Sequence, residues 1–329
     1  MRHHRATDTT RGHLMGTCLL RADLGRSATI DTAAILAGVG LVTVSRLGRA
    51  QLATAAFSIW CQLRGSTNVD TREGRFRLTP GDWIALDPES MPALQASRDG
   101  LVLGIVAAPR ALPLPGRALE HALFPGRGHS LKADRIITLR VWRAAARRLQ
   151  SLDARGSAEH GPGLDPVLMH LSSLQRDIQR DFHRCPGRSD HRKAKVFSRL
   201  QRARLFLEGN SDRVVGLDEL ARQASFSRWY LSKTFQATYG ESLQAASRRT
   251  RIDRACRLLA DTSLSINEVA AQCGFDNPCS FARAFRAQTG TTSTAYRDAQ
   301  RRMPGPQRQR HAPTTARAAH VAALSVVSR

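Results

Sequence analysis

Apolar positions change their period along this chain, and the changes divide it. From Gly40 to about Ala108, short runs such as Leu41-Val-Thr-Val44, Phe57 to Leu63, Phe76-Arg-Leu78, Trp83 to Leu86 and Leu101 to Val106 are split by turn sequences, among them Arg64-Gly-Ser66, Thr79-Pro-Gly-Asp82 and Arg98-Asp-Gly100. β-branched and aromatic runs of this length, punctuated by glycine and proline, predict an antiparallel sandwich or barrel. From about Leu131 the period is helical. Leu131, Ile136, Ile137, Leu139, Val141, Trp142, Ala145 and Leu149 form an apolar stripe, with Arg140, Arg143, Arg147 and Arg148 on the other faces. A loop over 156–163 and a second helix from Pro166 to about Phe182 follow. This helical pair is expected to pack on the β-rich part and to contribute to a dimer seam.

Beyond Phe197, Leu200, Leu205 and Phe206, which predict an amphipathic helix, the chain says nearly the same thing twice. Leu217-Asp-Glu-Leu220-Ala221, Ser225-Phe226, Leu231, Phe235 and Gly240 recur as Ile266-Asn-Glu-Val269-Ala270, Gly274-Phe275, Phe281, Phe285 and Gly290, at an offset of 49 residues up to Phe275 and 50 after it. Each copy predicts two short helices joined by a tight turn, a helix-turn-helix. Ser227 suits the cap of the second helix in copy one. Asp276 or Asn277 does so in copy two, with Pro278 in the first helical turn. Ser242 to Leu259 predicts one connecting helix of roughly 27 Å, close to the approximate 34 Å between successive major-groove faces of B-DNA.

Composition then narrows the partners. The 329 residues carry a formal net charge of +23, which favours a polyanion, either nucleic acid or an anionic membrane surface. The longest apolar run, Thr32 to Val44, is too short to span a bilayer and contains two glycines, so a cytoplasmic protein with no membrane partner is expected. The six cysteines show no Cys-x-x-Cys pair. No histidine lies between His13 and His121, so metal-dependent catalysis in the β-rich part is not expected, nor is any catalytic residue, metal or cofactor. Asp70, Glu73, Asp82, Asp87 and Glu89 all adjoin turn residues and are expected in solvated loops. A small-molecule pocket inside the barrel and a purely packed barrel stay equally open.

In a helix-turn-helix the second helix enters the major groove. With Leu231 and Phe235 inward, copy one offers Arg228, Trp229, Ser232 and Lys233 to base edges. Trp229 packed back on the preceding helix is the alternative. Copy two offers Cys279, Ser280, Ala282, Arg283 and Arg286, of which only the arginines have reach, Arg286 as a phosphate clamp. Ser227 and Asn277 are the further phosphate-contact candidates.

These residues carry a family resemblance. Through Leu220-Ala221, Ser227, Leu231, Phe235, Gly240, Arg251, Ala255, Leu258-Leu259, Ile266, Ala270, Gly274-Phe275, Phe281, Phe285, Gly290 and Tyr296-Arg297, the stretch Leu217 to Arg297 resembles the tandem helix-turn-helix domain of the AraC/XylS transcription regulators. Leu63 to Pro88 resembles, less closely, a cupin-like sensor domain. The resemblance implies an α+β chain of two domains, a cupin-like β-barrel with helices followed by an all-α, seven-helix tandem helix-turn-helix domain. It implies base contacts from Trp229, Ser232 and Lys233 in the first copy and Ser280 and Arg283 in the second. It also implies an activator that touches RNA polymerase, with a small-molecule effector and a homodimer as further possibilities. The expected divisions are a flexible N-terminus at 1–30, a sensor and dimerisation domain at 31–184, a linker at 185–194, the DNA-binding domain at 195–299 and a disordered basic tail at 300–329. Departures are Ser225 at the usual turn glycine, where a left-handed backbone would cost about 1 kcal/mol, and Leu243 and Ser293 at two usual prolines. Two other readings compete: a non-specific architectural DNA binder driven by charge, and a DNA-repair alkyl acceptor, which would need an activated cysteine.

Overall fold

The computed structural model describes residues 19–32, 39–108, 123–153 and 164–302. The loop expected over 156–163 and the tail beyond Arg302 lie outside them. The described residues divide into two compact units, the first through Arg72 and from Phe76 to Asp177, the second Glu73–Arg75 with the residues from Ile178 on.

The first unit is built from two sheets. One has the strand order β1 (Leu19–Ala22), β3 (Val39–Ser45), β10 (Leu101–Ala107), β5 (Phe57–Arg64), β8 (Asp82–Leu86), β11 (Gly126–His129). The other runs β2 (Ser27–Ile30), β4 (Arg49–Leu52), β9 (Ala93–Ala96), β6 (Thr67–Thr71), β7 (Gly74–Leu78). Every run expected to be a strand is one. Two further strands, β1 and β2, fall inside the stretch expected to be flexible. At four residues each they have too little periodicity to show locally; parallel pairing with β3 and β4 creates them. Trp60 is fully buried on β5 opposite Gly104 of β10, where a Cβ would come within 2.1 Å of the indole. Only glycine lets the two strands pair over that ring.

Most turn carboxylates serve their own loops. Asp82 accepts from the Thr79 N–H and hydroxyl at 2.8 Å each and pairs with His129 at 2.9 Å. Burial raises its carboxyl, and the His129 and Thr79 hydrogen bonds more than offset this, leaving it below the usual range. Asp87 caps the short turn Pro88–Ser90. Glu73 departs from the expectation, being buried rather than solvated.

Helix α1 (Lys132–Asp153) lies against β1 and β5. Its buried face is Thr138, Trp142, Ala145 and Leu149, while Leu131, Ile136 and Ile137, expected in the apolar stripe, are exposed. The helix is rotated because Thr138 is turned inward: its hydroxyl meets His170 Nε2 at 2.8 Å. The single helix expected from Pro166 to Phe182 is two, α2 (Asp165–Leu174) and α3 (Arg176–Arg184). Gln175 breaks it. Its side-chain amide is fully buried and brackets Phe124, accepting from the Phe124 N–H and donating to its carbonyl, both at 2.9 Å.

The second unit continues with α4 (Asp190–Gly209), α5 (Leu217–Gln223), α6 (Arg228–Tyr239), α7 (Leu243–Asp261), α8 (Ile266–Gln272), α9 (Pro278–Thr289) and α10 (Ser293–Arg302). α4 starts inside the expected linker, capped by Ser189. α7 is the expected connecting helix, capped by the Ser242 hydroxyl, so Leu243 needs no proline to start it. Thr292 does the same for Ser293 by accepting from the Ala295 N–H.

Candidate nucleic-acid interface

Helices α5 and α6 form the first helix-turn-helix and α8 and α9 the second. In each, a left-handed residue turns the chain: Ser225 at φ 54° and Gly274 at φ 69°. The second helix starts on a side-chain cap. Ser227 accepts from the Tyr230 N–H, and Asn277, not Asp276, accepts from the Ser280 N–H with Pro278 following. Ser227 and Asn277, two of the three expected phosphate-contact residues, thus hold helix N-termini, where backbone N–H groups and the helix dipole favour an anion.

The repeat is longer than its sequence pattern shows. Arg199 on α4 donates to the Ser225 carbonyl at 3.4 Å and lies 5.5 Å from the Phe226 ring centre. Arg251 on α7 donates to the Gly274 carbonyl at 2.9 Å and lies 4.3 Å from the Phe275 ring centre. Each copy is therefore three helices, with an arginine from the first stapling the turn between the other two. Each staple joins residues more than twenty apart, beyond the reach of local pattern. Two further arginines of α7 are also held: Arg249 is bound by Glu241 and Arg254 donates to the Gln272 carbonyl.

On α6 the inward side is Leu231, Thr234, Phe235, Thr238 and Tyr239, all buried. Trp229 is 69% exposed, so it does not pack back on α5. Tyr230 stacks with Phe226 instead, ring centres 5.2 Å apart. Lys233, one turn on, holds its ammonium 4.8 Å from the Trp229 ring, a cation–π contact that fixes both side chains on the outer face. Arg228 pairs across the turn with Asp218 at 3.1 Å, an exposed contact that a phosphate or base can displace at little cost. Ser232 is half-buried and Gln236 exposed on the same face. Gln236 was missed by sequence reasoning, although its spacing of seven from Trp229 placed it there.

On α9 the inward side is Phe281 and Phe285, and Cys279, Ala282, Arg283 and Arg286 are exposed, with Ser280 half-buried. Since α6 and α9 are both twelve residues long and start 50 apart, Lys233 corresponds to Arg283, Gln236 to Arg286, Trp229 to Cys279 and Ser232 to Ala282, whereas Ser280 falls opposite Tyr230.

The cysteines supply no activated thiol at their buried positions. Burial pushes Cys61 and Cys256 up to about 12 and Cys273 up to about 11, the reverse of what a nucleophilic cysteine requires. Among the described residues no group of three or more His, Cys, Asp or Glu could hold a metal ion, and no helix is long and apolar enough to cross a membrane.

Comparison with known proteins agrees with the helix-turn-helix geometry. A family described as a helix-turn-helix domain matches residues 220–299. The HTH-type transcriptional activator AarP of Providencia stuartii is 32% identical over 93 residues, 28% of this chain and 69% of that protein. The right origin-binding protein of Escherichia coli K12 is 33% identical over 93 residues, which are only 32% of its own length. The regulator GbdR of Pseudomonas aeruginosa is 29% identical over 164 residues, 45% of this chain and 44% of that one. Among solved structures, the DNA-binding domain of AdpA in complex with a target DNA is 30% identical, covers 32% of this chain and 97% of that one, and has a TM-score of 0.31.

Proposed function

Because the chain belongs to the AraC family of transcriptional regulators, we propose that it selects its DNA sites chiefly through the first helix-turn-helix. The outer face of α6 carries the reading. Lys233 and Arg228 donate to guanine O6 and N7, Trp229 covers a thymine methyl or a sugar edge, and Ser232 hydrogen-bonds a base edge. Gln236 extends the face toward adenine. On α9, Arg283 makes one base-directed contact with Ser280 beside it. Arg286 and the capped N-termini at Ser227 and Asn277 hold phosphates. One observation supports this most: the exposed Trp229–Lys233 pair on α6, against Cys279 and Arg283 at the same places on α9.

AarP's description as an activator supports the same direction of regulation here, and contact with RNA polymerase is the route we propose for it. The first unit is the proposed place for a small-molecule effector and for a homodimer contact. The test is selection of bound sequences from random duplexes. A preference that weakens at one or two base pairs in Lys233→Ala or Trp229→Ala supports the reading. Equal loss of affinity for every sequence would instead favour the architectural binder.

A further inference from the structure

Helix α1, outside both helix-turn-helix copies, carries the most concentrated charge of the first unit. Between Asp134 and Asp153 it contains Arg135, Arg140, Arg143, Arg147 and Arg148 and no carboxylate. At about 100° per residue, Arg140, Arg143 and Arg147 fall within roughly 60° of one another, and Arg148 borders them. All four are exposed. None forms an ion pair among the described residues, in contrast to Arg204, Arg213, Arg228 and Arg249, each of which has a carboxylate partner. Three guanidinium groups in a row with no carboxylate partner among the described residues repel one another, and α1 supplies no acid between Asp134 and Asp153 to relieve them.

We infer that this arginine stripe is a second DNA contact, a phosphate-backbone clamp on the first unit that adds affinity without reading sequence. The inference rests on the DNA-binding role proposed above. Arg140 to Arg147 spans a rise of about 10 Å, the axial rise of about three phosphate steps along one strand. Arginine forks match phosphate oxygens in pairs. The stripe has no aromatic or large aliphatic side chain between Arg143 and Arg148 to anchor a protein partner, since the outward residues there are alanines. The duplex is already held by the same chain, so its phosphates are at high local concentration. An acidic protein surface or a second copy of α1 are the other occupants, and the experiment separates them.

The full-length chain is compared with Arg140→Gln/Arg143→Gln/Arg147→Gln and with a control that removes the same charge from the strands and a turn of the first unit, Arg26→Gln/Arg49→Gln/Arg77→Gln. Affinity for a 40-base-pair random-sequence duplex is measured across a salt series, and particle mass is recorded. The expected result is a slope of log affinity against log salt that falls by roughly two to three for the α1 variant and by clearly less for the control, since each phosphate contact contributes about 0.9. Sequence preference among selected duplexes should be unchanged. An unaltered slope, an equal fall in both variants, or a change in particle mass at constant slope would each overturn the clamp. Failure of the Lys233→Ala test would show in sequence preference, which this triple variant leaves alone, so the two readings fail separately.

Discussion

The two helix-turn-helix copies share a scaffold and differ in what they present. Leu220, Ala221, Leu231 and Phe235 are buried in the first as Val269, Ala270, Phe281 and Phe285 are in the second. Gly240 and Gly290 end α6 and α9 with the same left-handed cap, φ 73° and 76°. Each turn is stapled by an arginine from the helix before it. Outward, the first copy has Trp229, Ser232, Lys233 and Gln236, whereas the second has Cys279, Ala282, Arg283 and Arg286. Core packing constrains the inner side of each helix to a narrow set of shapes, while the outer side answers only to its ligand. Two copies can therefore diverge in chemistry without diverging in fold.

The largest expected effect tests the scaffold where the copies are least alike. Gly274→Ala places a side chain on a left-handed backbone and brings a Cβ within 2.7 Å of the Arg213 Cα. It should destabilise the second unit by about 2–4 kcal/mol in denaturant unfolding. Ser225 already lives with the left-handed strain, so Ser225→Ala should cost much less; equal losses would contradict the equivalence of the turns.

Next comes the face. Lys233→Ala or Trp229→Ala should lose about 1–3 kcal/mol of specific binding, and Arg283→Ala about half as much, by titration of a selected duplex against a scrambled one. A larger loss at Arg283 would reverse the assignment of the principal reading helix.

Two substitutions should bring copy one closer to copy two. Ser225→Gly releases left-handed strain and should stabilise the chain by about 0.5–1 kcal/mol. Gly216 caps α5 without a side chain, while Ser265 caps α8 in a reciprocal pair with Glu268. A Cβ at Gly216 meets nothing within 4 Å, so Gly216→Ser should add about 0.5 kcal/mol.

The smallest effect is electrostatic. Glu219 and Glu268 hold equivalent positions, but Glu219 is held below the usual carboxylate range by its hydrogen bond to Arg213, and Glu268 by the Ser265 N–H. With both folded values lowered, each contribution is complete above the unfolded value of about 4.3 and fades as pH falls through the folded one. Added salt at pH 6 should weaken the Glu219 contribution, an exposed ion pair, more than that of Glu268, in stability measurements on Glu219→Gln and Glu268→Gln.

Much of the second unit was legible because its determinants are local. Caps, turn residues and inward positions at helical spacing lie within one or two turns of each other, and they located α5 to α9 and the outer face of α6. The strands of the first unit were legible where apolar runs mark them, as in β3, β5, β7, β8 and β10. The four-residue strands β1 and β2 were not, since only their partners make them strands.

What the amino-acid sequence determined by itself was the repeat, its capping chemistry and the unequal content of its two outer faces, because these depend on residue type at fixed spacing. Tertiary structure alone decided which side of α1 is buried, where Gln175 ends α2, and that Arg199 and Arg251 bind the turns while Arg140, Arg143 and Arg147 have no carboxylate partner among the described residues. Those outcomes are contests between side chains far apart in the chain, and the winner is set by which buried polar group finds its partner.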